Sequence, residues 1–244
     1  MKSFTVLIPT TQNIVGFTDI TVEDKNVSPI VCVNNSLTPL PISADYNDFI
    51  KSPSGVVEKY TKISSYRLDL TSSIDTGESW QLGFFIAHLI NHFGTLNFSK
   101  TEELISNYTD NILWCSGVVN ANLDLDDVTY IKTKLLNSKQ IFEEAIKQKK
   151  MIYLCVSNGN AKEVEEFIGT YDNSLKKYLK LVSIKNAREL FKIINYEKIF
   201  LKNTHAFKKK SLKALSLLLI LLIIVPLLLF CFKTSNAFLK LKNL

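Results

Sequence analysis

Apolar positions along the chain alternate between two periods. Residues 3–9, 14–23 and 28–33 are β-branched runs separated by Asn, Asp and Pro, and they predict three strands of one meander. Residues 42–62 predict helix interrupted at Pro53 and Gly55, and 65–71 alternates with period two as a strand does. The turn-rich stretch 72–78 leads into 79–93, which is apolar nearly all round, so a buried helix is expected with Gly94 as its stop. An apolar strand follows at 112–119. In 129–149 Ile131, Leu135, Phe142, Ala145 and Ile146 recur on one helical face. Strands at 151–156 and 178–183 flank a short helix at 160–168, and Ser183 is placed to cap a last helix over 184–200. A β-rich start followed by alternating helices and strands predicts one α+β domain over residues 1–205.

The pattern changes abruptly after that. Residues 214–232 are uncharged and contain one polar side chain, Ser216. Such a run is long enough to cross a hydrocarbon core, so a transmembrane helix is expected, with Pro226 inside it and a short tail at 233–244. Lysines crowd the N-terminal side, including the basic stretch 206–213. The positive-inside rule then expects a single-pass membrane protein, tail-anchored, with its N-terminal domain in the cytoplasm, at a bacterial inner membrane rather than an organelle. The opening MKSFTVLIPTTQ lacks an apolar stretch of useful length, so no signal peptide is expected.

Charge adds little beyond this. The net charge is +6, yet residues 206–244 hold seven lysines and no acid. The remainder is close to neutral, and no nucleic-acid partner is implied. The four cysteines, Cys32, Cys115, Cys155 and Cys231, form no CxxC pair, so neither a disulfide framework nor a zinc ribbon is expected.

No P-loop, GxGxxG, HExxH or GxSxG motif occurs. Two stretches carry the candidate chemistry. One is Asp75-Thr76-Gly77-Glu78-Ser79-Trp80, at the junction of a strand and the buried helix. The other is Trp114-Cys115-Ser116-Gly117-Val118-Val119, followed by Tyr130-Ile131-Lys132-Thr133-Lys134-Leu135-Leu136. A serine hydroxyl needs a base to act as a nucleophile, and lysine is a base only when burial lowers its pKa. Lys134 lies at the edge of the apolar face that contains Leu135.

With these residues the chain resembles the proteolytic domain of the Lon family of serine–lysine peptidases. There D-G-x-S begins a helix, T-G-E lies on a later strand, and K-E-K-L-L lies on a following helix. The resemblance runs over about residues 65–200, with an apparent insertion near 97–111. It implies Ser79 as nucleophile, Lys134 as base and Ser116 as the strand hydroxyl; Asp75, Gly77 and Trp80, from the loop around Ser79, are supporting candidates beside them. It also implies a peptide or protein substrate, a homo-oligomer, and no cofactor or metal. Three departures stand out. Trp80 and Gln81 replace a small residue and glycine, Thr129-Tyr130 replaces a glycine pair, and Val118 replaces the glutamate. Within these 244 residues no ATPase module is expected.

Plainer readings stand beside each of these. Ser79 serves equally as a helix cap, and Lys132 and Lys134 as a solvated face. Asp75 fits a turn, and Trp80 either core or cleft wall. His88 and His92, at i and i+4, fit a packed stripe better than a metal pair. Cys115 fits the core better than a nucleophile. Two functions follow: a membrane-tethered Lon-like serine peptidase, or a catalytically inactive Lon-like domain that binds a protein partner at the membrane. A small-molecule or nucleotide sensor on an α/β scaffold is a third.

Overall fold

The computed structural model describes residues 3–100, 103–105 and 109–195. They belong, Asn195 apart, to the compact unit Met1–Ile194. The expected transmembrane run 214–232 lies outside the described residues. Among the described residues no helix is long and apolar enough to cross a membrane. The expected single-pass membrane location is therefore corrected: no element of the described fold carries it.

The β-rich start is not a meander. Strand β1 (Phe4–Pro9) forms an antiparallel hairpin with β2 (Ile14–Val22). β3 (Ile30–Val33) does not pair with β2. It lies parallel to β4 (Tyr66–Leu70), which itself pairs antiparallel with β2. Helices α1 (Ser43–Ile50) and α2 (Val57–Thr61) carry the chain from β3 to β4. A helical crossover returns the chain in its original direction, which is why these two strands run parallel.

The same logic builds the other half. β5 (Asn111–Ser116) joins β1 in parallel after α3 (Gln81–His92). Two short strands, β6 (Val118–Val119) and β7 (Leu125–Asp126), form a separate antiparallel pair. Helices α4 (Ile131–Asn137) and α5 (Lys139–Lys147) lead to β8 (Met151–Ser157), parallel to β5. α6 (Ala161–Gly169) and α7 (Asn173–Lys176) lead to β9 (Leu179–Ile184), parallel to β8. The result is one seven-stranded, mostly parallel sheet in the order β3-β4-β2-β1-β5-β8-β9. The expected α+β class is corrected to α/β.

Central strands β1 and β5 are buried at every position. Both faces of the sheet are covered, so these strands read as continuous apolar runs rather than alternating ones. On one face a Cβ added at Gly83 of α3 would collide with Ile8, so glycine allows the close approach of helix and strand. On the other, Leu7, Ile112 and Trp114 pack with Ile131, Leu135 and Phe142 from α4 and α5. Phe93 ends α3 and Gly94 follows with φ +70, as expected of a helix stop. Ser183 lies inside β9 instead of capping a helix. The chain after β9 is a 3₁₀ turn, Ala187–Lys192, capped reciprocally by Asn186 and Glu189.

His88 is buried in α3, with Nε2 2.9 Å from the Tyr46 hydroxyl and its ring 4.4 Å from that of Tyr66. Burial lowers its pKa to about 3 from an ordinary 6.5. The folded state therefore resists protonation in a pH range where the unfolded chain accepts it. No penalty exists above pH 6.5. It grows as pH falls toward 3 and reaches on the order of 4 kcal/mol. Urea unfolding at pH 7, 5 and 4 checks this, and His88→Phe is expected to flatten the decline.

Candidate active site

Three elements meet at the C-terminal ends of β4 and β5. The loop after β4 turns at Gly77, whose φ of +83 suits a residue without a Cβ. Trp80 then folds inward. Its indole N–H donates to the Gly77 carbonyl at 2.7 Å, and its ring packs against Phe49 and Phe84. Trp80 thus belongs to the core and contributes one side of the cleft floor. It holds Ser79, the preceding residue, at the surface of the sheet end. Ser79 makes no cap bond; Trp80 occupies the N-cap position of α3.

Gly117 interrupts the predicted 112–119 strand and locks it to this loop. Its N–H donates to the Ser79 carbonyl at 3.0 Å, and its own carbonyl accepts from Leu82 N–H at 3.1 Å. Gln81 adds a further tie, with its side-chain oxygen accepting the Val119 N–H at 2.8 Å. The sequence offered no signal for this role of Gln81.

Ser116, the last residue of β5, is fully buried. It lies two residues beyond Trp114, and so on the same face of the strand, toward α4. α4 begins just after Tyr130, which holds a left-handed backbone with φ +62 where the Lon resemblance expects glycine. That conformation costs roughly 1 kcal/mol in a residue with a Cβ. Asn160 fixes the segment entering α4: its amide accepts from Val128 N–H and donates to Val128 O, each at 2.9 Å. Asp127 adds bonds from Ser157 Oγ and Gly159 N–H.

Lys134 lies on the buried side of α4 with Ile131 and Leu135, and is 5% exposed. Its Nζ donates to Ser79 Oγ at 2.9 Å and to Ser116 Oγ at 3.2 Å. Among the described residues no carboxylate forms an ion pair with it. Burial alone lowers its pKa, from 10.5 to about 8. Lys132, two residues earlier, is exposed and pairs with Glu166 at 3.3 Å, which is the solvated-face arrangement.

A cleft of about 470 Å³ opens over the Ser79–Lys134 contact, between the loops 74–80 and 127–130. Ile8, Ile74, Trp80 and Val118 supply its apolar surface. Asp75 is exposed and lines a smaller neighbouring pocket with Thr10 and Thr11, and among the described residues no hydrogen bond joins it to Ser79 or Lys134.

No protein-family model matches this chain, and no curated protein matches it.

The other candidates are placed elsewhere. Cys115 is buried opposite Cys155 on β8, and burial raises its pKa well above the ordinary thiol value, so it stays protonated. His88 points at Tyr46 while His92 is exposed. Among the described residues no cluster of three or more His, Cys, Asp or Glu could hold a metal. A second cavity of equal volume lies beside Tyr171, and its Lys139 and Glu143 face each other at 3.9 Å. Both are largely exposed, so that cavity has no desolvated base.

Proposed function

We propose that the chain is a serine peptidase in which Ser79 is the nucleophile and Lys134 the general base, the chemistry implied by its resemblance to Lon peptidases. The single observation that carries this reading is the 2.9 Å contact of a half-buried serine hydroxyl with a desolvated lysine amine. Neutral Lys134 has two N–H donors and one lone pair. An N–H directed to Ser116 leaves the lone pair free to accept the Ser79 proton over the same distance. Ser79 Oγ then adds to a peptide carbonyl while Lys134 becomes an ammonium. The ammonium returns the proton to the leaving amine, giving an acyl ester on Ser79. Lys134 next deprotonates a water that hydrolyses the ester.

Among the described residues the backbone N–H groups of Ser79 and Trp80 have no acceptor. At the start of α3 they are suited to a developing oxyanion. The rival reading, a domain that binds without turnover, would need Trp80 to obstruct the cleft. The indole instead turns into the core against Phe49 and Phe84.

Incubating the full chain with an unfolded protein tests this. New peptide termini are expected with the wild type and none with Ser79→Ala at an unchanged thermal midpoint. Equal release from both proteins, or none from either, overturns the reading.

A further inference from the structure

We propose that Ser138 is a positioning residue for Lys134, tied through the Trp114 indole to the same strand that carries Ser116. The inference rests on the peptidase reading and adds a residue to its machinery.

Ser138 lies between α4 and α5, where the sequence pattern predicts one continuous helix. It is fully buried, as is Trp114. The Trp114 indole N–H donates to Ser138 Oγ at 2.8 Å, and the Ser138 hydroxyl donates to the Lys134 carbonyl at 2.6 Å. Chemistry fixes the direction of this chain. An indole N–H can only donate and a carbonyl can only accept, so the hydroxyl between them must do both.

A helix end does not require this. The Ser138 backbone N–H already reaches the Lys134 and Leu135 carbonyls, each at 3.1 Å. The hydroxyl adds a second bond to the Lys134 carbonyl and links it to β5. Lys134 is thereby held from one strand at two points. Trp114, through Ser138, holds its main chain, and Ser116 holds its amine. A long, flexible side chain needs such support. Without the first anchor a small rotation of α4 displaces the amine from Ser79, and a misplacement of about 1 Å can cost on the order of 100-fold in rate.

The test compares Ser138→Ala, Ser138→Thr and Trp114→Phe in the full chain. Two readouts are used: kcat and KM on an unfolded protein substrate, and the Lys134 titration followed by NMR of lysine-labelled protein. Ser138→Ala is expected to lower kcat about tenfold or more, with KM within about twofold, and to move the Lys134 midpoint upward as water reaches the amine. Ser138→Thr keeps the hydroxyl and is expected to restore both values. Trp114→Phe keeps the hydroxyl–carbonyl bond and should fall between, which also covers the case in which Ser138→Ala fails to fold. A purely structural role would lower stability and leave kcat and the titration of the folded protein unchanged, and that result overturns the inference. Absence of turnover in every protein, wild type included, would remove the peptidase reading. The titration would still decide the role of Ser138, since an unmoved midpoint rejects it and a moved one supports it.

Discussion

Lys134→Met is expected to reduce peptide cleavage by about 10³-fold, within the range that general-base catalysis supplies, without destabilising the protein at neutral pH. The second half of that expectation separates loss of chemistry from loss of fold. Lys134 ionises with a pKa of about 8 when folded, against 10.5 in the ordinary state. Below pH 8 the folded chain holds a charged amine in a dry site, at a cost of about 3 kcal/mol. Methionine removes that cost and loses the contacts to Ser79 and Ser116, so its thermal midpoint at pH 7 should equal or exceed the wild type. As pH rises from 8 toward 10.5 the wild-type folded state sheds its proton before the unfolded chain does. Wild-type stability therefore gains over this window and the advantage of methionine shrinks.

The rate should follow the same group. About a tenth of Lys134 is neutral at pH 7, and about nine tenths at pH 9. Cleavage by the wild type should thus rise roughly tenfold per pH unit below 8 and level off above 9. A rate independent of pH between 6 and 9, or substantial activity in Lys134→Met, would remove Lys134 from the mechanism.

The meeting of Ser79, Ser116 and Lys134 was implied by the Lon resemblance, and the part of it legible in the local pattern is the burial of Lys134. Leu135 and Ile131 mark the buried face of α4, and Lys134 sits beside them at helical spacing. A strand end and a helix start bring Ser116 and Ser79 to one end of a sheet. Strand order was not legible, because it depends on partners distant in sequence. β1 pairs with β5 more than 100 positions away, and β3 passes over β2 to reach β4. Nothing in the local alternation of 28–33 distinguishes those two neighbours. The break at Ser138 was hidden for a related reason. The apolar stripe from Ile131 to Ile146 continues across it, and what interrupts the helix is accompanied by a bond from Trp114, 24 positions earlier. Asn160, which clamps Val128, is invisible in the same way: an asparagine at a helix start reads first as a cap.

Trp80→Ala is expected to destabilise the protein by about 3–5 kcal/mol, the largest stability effect of any substitution near the cleft. The side chain is 1% exposed, and its ring centroid lies 5.4 Å from Phe49 and 4.7 Å from Phe84. Truncation leaves a cavity among aromatic rings that have little freedom to close it. It also releases the loop that presents Ser79, since the indole N–H is the bond to the Gly77 carbonyl. Trp80→Phe separates these two contributions. Phenylalanine keeps most of the packing and loses the bond, and Gly77 is exposed, so water can satisfy its carbonyl. The stability loss for Trp80→Phe should then be only about 1 kcal/mol. Cleavage should fall further than stability, because Ser79 is one residue from the lost anchor and its distance to Lys134 sets the proton transfer. Urea unfolding is readily followed in both variants by the fluorescence of Trp114, the tryptophan that remains. If Trp80→Phe retains full activity, the indole serves the core alone, and the position of Ser79 is set by the Gly117 and Gln81 bonds without it.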